Sequence, residues 1–161
     1  MNTKTEIATV VELGSTNASP NTGNEMTQIQ LELVRVSFAQ VAQMADAAGA
    51  LFYRRLFELD PSLRSLFRSD LQEQGRKLIQ MLGLAVAWLD RPDMLLPTIE
   101  ALGRRHELYG VKSRDYQTVG EALLWTLAKG LGEAFTPEVR GAWIAVLELI
   151  SSVMQRQPVA A

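Results

Sequence analysis

Leu102-Gly-Arg-Arg-His-Glu-Leu-Tyr-Gly110 holds the only histidine of the chain. At helical spacing, Ile99, Leu102 and His106 share one face, so an imidazole lies on an apolar stripe. Gly110 reads as the stop, glycine being the usual residue just past a helix end. Pro97 reads as the start, because proline is tolerated in a first turn. A lone histidine on such a stripe is more often a hydrogen-bonded core residue than a ligand. Its role depends on what the rest of the chain brings to it.

Upstream, a helix is expected from about Leu71 to Asp90, with Gln74, Leu78, Leu82 and Ala85 on one stripe and Arg91–Pro92 breaking it. Before it, Asp60–Pro61 is a cap followed by a first-turn proline, opening a short helix that ends near Phe67; residues 68–71 read as a connection. Earlier still, residues 45–59 turn Phe52, Tyr53, Leu56 and Phe57 inward, and Leu31, Val34, Phe38 and Val41 mark a first helix that Met26 opens. Downstream, Ser113 is placed to cap a helix presenting Tyr116, Val119, Leu123 and Leu127, with Gly130 and Gly132 as its stop. Thr136–Pro137 opens a last helix to about Gln155, burying Trp143, Leu147 and Ile150.

No stretch reads as a strand and no repeat is visible, so the expectation is an all-α fold of about seven unequal helices, packed irregularly and not as an up-down bundle. Residues 1–25, rich in Thr, Asn, Ser and Gly, read as a disordered N-terminal extension; residues 26–157 form the domain and 158–161 a short tail.

Composition narrows the chemistry. The chain has 161 residues, 47% of them apolar, enough for one domain with a sizeable core. Its net charge of −2, with scattered basic residues, gives no electrostatic case for nucleic acid. The absence of cysteine excludes disulfides, thiolate metal sites and a cysteine nucleophile, and fits a cytoplasmic location. One histidine cannot supply a two-histidine zinc motif, no serine sits in a nucleophile elbow, and no phosphate-binding loop appears. The best apolar run, Leu78 to Leu89, is too short to span a bilayer and contains Gln80. Glu6 and Glu12 bracket the apolar stretch Ile7 to Leu13, so no signal peptide is expected.

Four side chains remain unusual: His106, Gln74, Tyr53 and Tyr116, each a polar group on an inward stripe. Buried polar tips need partners. Each alone reads as a core or helix-edge residue; one pocket would account for all four.

Family resemblance bears on that choice. Leu51-Phe-Tyr-Arg-Arg-Leu-Phe57 resembles the second helix of flavohaemoglobins and single-domain bacterial globins. Asp60-Pro-Ser-Leu-Arg-Ser-Leu-Phe67 is similar to the corner that follows, Gln74-Gly-Arg-Lys-Leu78 to the distal helix, and Tyr116-Gln-Thr-Val-Gly120 to the helix after the proximal one. Leu102 to Gly110 resembles the proximal helix itself. The likeness covers Met26 to Met154 and is particularly close to the Hell's Gate type of bacterial globin.

The resemblance implies a globin fold sandwiching haem b, iron protoporphyrin IX. His106 matches the iron ligand, its other ring nitrogen donating to a carbonyl one turn earlier, that of Leu102. Tyr53 and Gln74 match the two distal residues, whose hydroxyl and amide can donate to bound oxygen. Leu78 matches the residue that crowds the ligand, and Phe67 the ring that wedges the haem. Leu102, Val111, Tyr116 and Val119 complete the contacts, and Lys77 and Arg105 are candidate propionate partners, each reading equally well as a solvated helix face. With a single histidine, no second one can occupy the sixth coordination position.

In flavohaemoglobins a tyrosine and a glutamate flank the proximal histidine. Tyr116 matches the tyrosine. Where the glutamate would fall the chain reads Ser151-Ser-Val-Met-Gln-Arg-Gln-Pro158, and Glu148 is too early. The chain carries no flavin- or nicotinamide-binding fingerprint. The expected function is tight binding of oxygen, with NO and CO as further ligands. Oxygen transport or oxidation of nitric oxide to nitrate would follow from it, the latter with an outside reductant. The alternatives are a haem-based gas sensor or interaction module, and a haem-free globin-fold signalling domain, against which His106 counts. No nucleic-acid or membrane partner is expected.

Overall fold

A computed structural model describes residues 26–156. The proposed extension 1–25 and tail 158–161 lie outside the described residues. Within them the chain forms six α-helices, α1 (Gln28–Ala42), α2 (Ala45–Leu59), α3 (Leu71–Ala87), α4 (Pro92–Leu108), α5 (Ser113–Leu131) and α6 (Pro137–Met154), with 3₁₀ turns at Pro61–Leu66 and Gly132–Ala134. No strand occurs among the described residues. The short third helix is therefore 3₁₀, and counting it gives the seven helical segments expected.

Local chemistry explains the starts. Thr27 Oγ1 accepts from the Gln30 N–H while Gln30 Oε1 accepts from the Thr27 N–H, both at 3.1 Å, a reciprocal cap for α1. Asp60 and Asp70 accept from the N–H groups of Ser62 and Gln72, each at 3.0 Å, and Thr136 from that of Val139 at 3.2 Å.

Four boundaries differ from expectation. Helix α3 ends at Ala87, with Trp88 to Asp90 turning away. Helix α4 begins at Pro92, leaving Pro97 inside it. Pro97 faces solvent, where the carbonyl it leaves unpaired can take water. Leu95 and Ile99 are 3% exposed on the opposite face; their burial, roughly 1.5–3 kcal/mol each, offsets a proline cost of about 3 kcal/mol. At α5 the cap position is Lys112, not Ser113, because Asp115 Oδ2 accepts from the Lys112 N–H at 2.9 Å. Gly130 stays helical, and the helix ends at Gly132, where φ is +57°.

Packing divides the molecule. Val34, Val41, Ile79, Leu127, Trp143 and Val146 join α1, α3, α5 and α6 in one buried cluster. Trp143 is fully buried, and its Nε1–H donates to Ser37 Oγ at 2.9 Å. Phe52, Tyr53, Leu56, Leu63, Ala122 and Leu123 form a second cluster between α2, the 3₁₀ turn and α5. Ala85, Leu95, Ile99 and Val153 form a third, which fastens α4 to α6.

Two close crossings depend on missing side chains. A Cβ on Gly49 would lie 2.9 Å from the Gly75 Cα, so α2 and α3 touch backbone to backbone. A Cβ on Gly103 would overlap the backbone of Met154, so α4 lies equally close to α6. Helix α4 has no comparable packing against α2, α3 or α5. Helix α4 therefore rests mainly on α6, and meets α3 at Ala85 in the third cluster.

Candidate functional site

Helix α4 carries His106 in its last turn. That turn closes on the histidine: the Val111 N–H donates to the His106 carbonyl and the Gly110 N–H to that of Glu107, both at 3.0 Å. Gly110, at φ +92°, makes this ending possible. His106 is half-buried, and its Nδ1 lies 2.8 Å from the Leu102 carbonyl one turn earlier. A carbonyl only accepts, so Nδ1 carries the proton and Nε2 keeps its lone pair. Nε2 has no hydrogen-bond partner among the described residues.

The cluster around Tyr53 is aromatic. Tyr53 is 5% exposed. Its ring meets Phe52 edge-on at 5.0 Å and Phe67 edge-on at 5.1 Å, and stacks with Phe57 at 6.0 Å. Leu78, Leu82 and Val119 pack on the same cluster. Burial pushes the Tyr53 hydroxyl pKa up to about 12, so at neutral pH it is a protonated donor. It has no hydrogen-bond partner among the described residues.

The expected residues divide accordingly. Tyr53, Phe67, Leu78 and Val119 come together in one cluster. Gln74 is half-buried, and its amide Nε2 donates to Ser69 Oγ in the connection before α3. Lys77 is exposed and paired with Glu73 at 3.6 Å. Arg105 is exposed, Val111 half-buried, and Leu102 contributes its carbonyl. Tyr116 is half-buried, and its hydroxyl pKa is raised by burial first and then by the charges of Glu107 and Asp115.

Sequence reasoning missed two features here. Glu107, beside the histidine in the chain, acts on Tyr116 from α4. Gly103 sets the height of α4 on α6. A glycine inside an otherwise strong helix was the available signal for the second; nothing local marked the first.

The comparisons agree with this architecture. The Globin family model matches residues 50–154. Neuroglobin-1 of Oncorhynchus mykiss is 28% identical over 146 residues, 82% of this chain and 92% of that protein. Neuroglobin of Tetraodon nigroviridis is 32% identical over 139 residues, covering 78% and 87%, and neuroglobin of Danio rerio is 31% identical over 138, covering 77% and 87%. The chain belongs to the globin family.

Haem b is the cofactor of that family, and diatomic gases such as oxygen are its ligands. The residues present fit the group. The one histidine offers a ring nitrogen with no hydrogen-bond partner among the described residues, on a helix that packs mainly on α6. The cluster around Tyr53 is apolar except for that tyrosine's hydroxyl. A haem would take its axial ligand from the imidazole of His106, and apolar and aromatic side chains would suit the porphyrin.

Proposed function

We propose that this globin binds oxygen tightly, with His106 holding the haem iron and Tyr53 as the principal hydrogen-bond donor to the gas. The observation that carries this reading is Tyr53, its ring packed among Phe52, Phe57 and Phe67 and its hydroxyl without a hydrogen-bond partner among the described residues. Haem supplies the iron on which a diatomic gas binds reversibly. The chain supplies what decides how long it stays. Bound oxygen is partly negative, and a neutral donor in a water-poor pocket stabilises it far more than one in water. Leu78 limits the room beside it, and Phe67 fixes the porphyrin edge. Gln74 becomes a second donor by turning its amide from Ser69 toward the pocket. Leu102, Val111, Tyr116 and Val119 contact the haem, and Lys77 and Arg105 take the propionates.

The narrower likeness to flavohaemoglobin-like bacterial globins rests on Tyr53, Gln74 and Tyr116. It extends the proposal to nitric oxide dioxygenation in the cytoplasm, in which nitric oxide, oxygen and one electron from an outside reductant give nitrate. CO binds the same site as an inhibitor. A gas-sensing role is the second reading. The Gln74–Ser69 bond favours it, since an amide that left Ser69 for a bound gas would release residues 68–70.

The test is the visible spectrum of the haem-loaded, reduced protein with oxygen and with CO, followed by release rates. Tyr53→Phe should release oxygen about tenfold faster or more, one buried donor bond being worth roughly 1.5–3 kcal/mol. The absence of a Soret band would sink the haem reading. An unchanged release rate would remove Tyr53 from its role.

A further inference from the structure

We propose that residues 7–13 of this chain dock in an apolar groove between the α1–α2 corner and α3, and so strap the outer side of the helix that carries Gln74 and Leu78.

The groove has a volume of about 590 Å³ and is lined by Phe38, Ala42, Met44, Ala45, Ile79 and Gly83, with Asp46 and Arg76 at its rim. Concave sites that bury a small ligand run from about 300 to 1,000 Å³, so this one has room for several apolar side chains. Small residues make it. Ala42 and Ala45 leave the corner open, and Gly83 lets the Phe38 ring lie against α3, where a Cβ would come within 3.1 Å of it. The rim is wet: Arg76 Nε donates to Asp46 Oδ1 at 2.9 Å, and both side chains are more than half exposed. The floor is not polar, and Met44 stands 38% exposed beside it. A large apolar side chain left open at the edge of an apolar concavity marks a contact surface.

The sequence holds a segment that fits. Ile7-Ala-Thr-Val-Val-Glu-Leu13 is an apolar stretch ahead of α1, bracketed by Glu6 and Glu12. At helical spacing Ile7, Val10 and Val11 share one face, the i, i+3, i+4 pattern of a segment laid into a groove. The two glutamates keep its ends at the wet rim. Residues 14–25 have the composition of a linker, chiefly Gly, Ser, Thr and Asn. The 14 residues from Gly14 to Thr27 span about 20 Å on average as such a linker. Helix α1 starts at Gln28, and Phe38 lies about 15 Å further along it. A tethered contact is favoured most when the linker's average span matches the distance to be covered, and its effective concentration is then about millimolar. A second copy of the chain would have to reach that concentration in solution to compete.

The contact bears on the distal side. Leu78 and Leu82 of α3 pack on the Tyr53 cluster, whereas Ile79 and Gly83 line the groove. A segment docked there joins α1, the corner and α3 from outside, and holds α3 without entering the Tyr53 cluster.

The chain has no cysteine, so Glu6→Cys accepts a single nitroxide label at the edge of the segment. In the haem-loaded CO form of the full chain, the methyl signals of Ala42, Met44 and Ile79 should lose more than half the intensity they have with the label reduced. Ile29, exposed near the start of α1 and outside the groove, should lose less. A segment without a docking site would broaden Ile29, close to its attachment, more than Met44, and that result overturns the proposal. Val10→Asp puts a charge into the contact from one side and Ala42→Asp from the other; each should restore most of the signal. Broadening that persists in both also overturns it. Ala42 is exposed and Val10 lies outside the described residues, so neither change threatens the fold. Mixing labelled chain with isotope-enriched, cysteine-free chain should leave Met44 of the enriched chain sharp; broadening there would mean that the segment comes from another copy, and overturns the tethered contact. The strap is read by hydrogen exchange: Val10→Asp should speed it about threefold over residues 80–83 and leave α4 unchanged. Equal exchange at 80–83 would overturn the strap. None of these readouts involves Tyr53 or a bound oxygen, so failure of the oxygen-binding reading is seen separately.

Discussion

Tyr53 and His106 show what a single side chain contributes once its surroundings are fixed. The imidazole is aimed by one bond from Nδ1 to the Leu102 carbonyl, which directs the Nε2 lone pair away from its own helix. The tyrosine is aimed by rings, and the same burial that keeps it protonated makes it a source of alkaline instability. Its folded pKa, pushed up to about 12, lies above the unfolded value near 10. Between these values the unfolded chain gives up the proton and the folded chain keeps it, so stability falls as pH rises through that window. Tyr116 shifts in the same direction. Urea midpoints should therefore drop from pH 9.5 to pH 11.5, and the drop should shrink in Tyr53→Phe. Gln74 shows how little residue type alone decides. Its place on the α3 stripe was legible in the sequence, but the direction of its amide depended on Ser69, which periodicity does not weigh.

At the scale of elements, α4 is the one held least. It is fastened to α6 through Leu95, Ile99 and Val153, and through the backbone contact at Gly103. Gly103→Ala would force the helix off Met154. The expected cost is about 1–3 kcal/mol from overpacking, read in urea unfolding, together with weaker haem retention in a transfer assay because His106 moves with the helix. Removal of haem should leave α4 the least protected helix in hydrogen exchange, since α6 then supplies most of its packing. Protection of α4 equal to that of α2 and α5 in the haem-free protein would contradict this account. The start of α4 also shows where a local rule misleads. Pro97 reads as a first-turn residue, and by local preference it should be one. It lies within the helix because it faces solvent while Leu95 and Ile99 are buried.

For the whole molecule, the cofactor is part of the fold. A ligand that binds the folded chain alone stabilises it by about 4 kcal/mol at a thousandfold excess over its dissociation constant. At about 2–4 °C per kcal/mol for a domain of this size, haem should raise the melting temperature by about 10 °C in calorimetry. His106→Ala should remove most of that gain. The sequence by itself determined the helical class, most boundaries, the chain's only histidine on an apolar stripe and the inward places of Tyr53 and Leu78. These follow from periodicity, caps and breakers, which act over a few residues. Only the tertiary structure decided that α4 rests mainly on α6, that Glu107 bears on Tyr116 and that Gln74 turns to Ser69. Each depends on which helix crosses which and how closely. That is set by shape at places such as Gly49 against Gly75 and Gly103 against Met154, where what matters is the side chain that is missing.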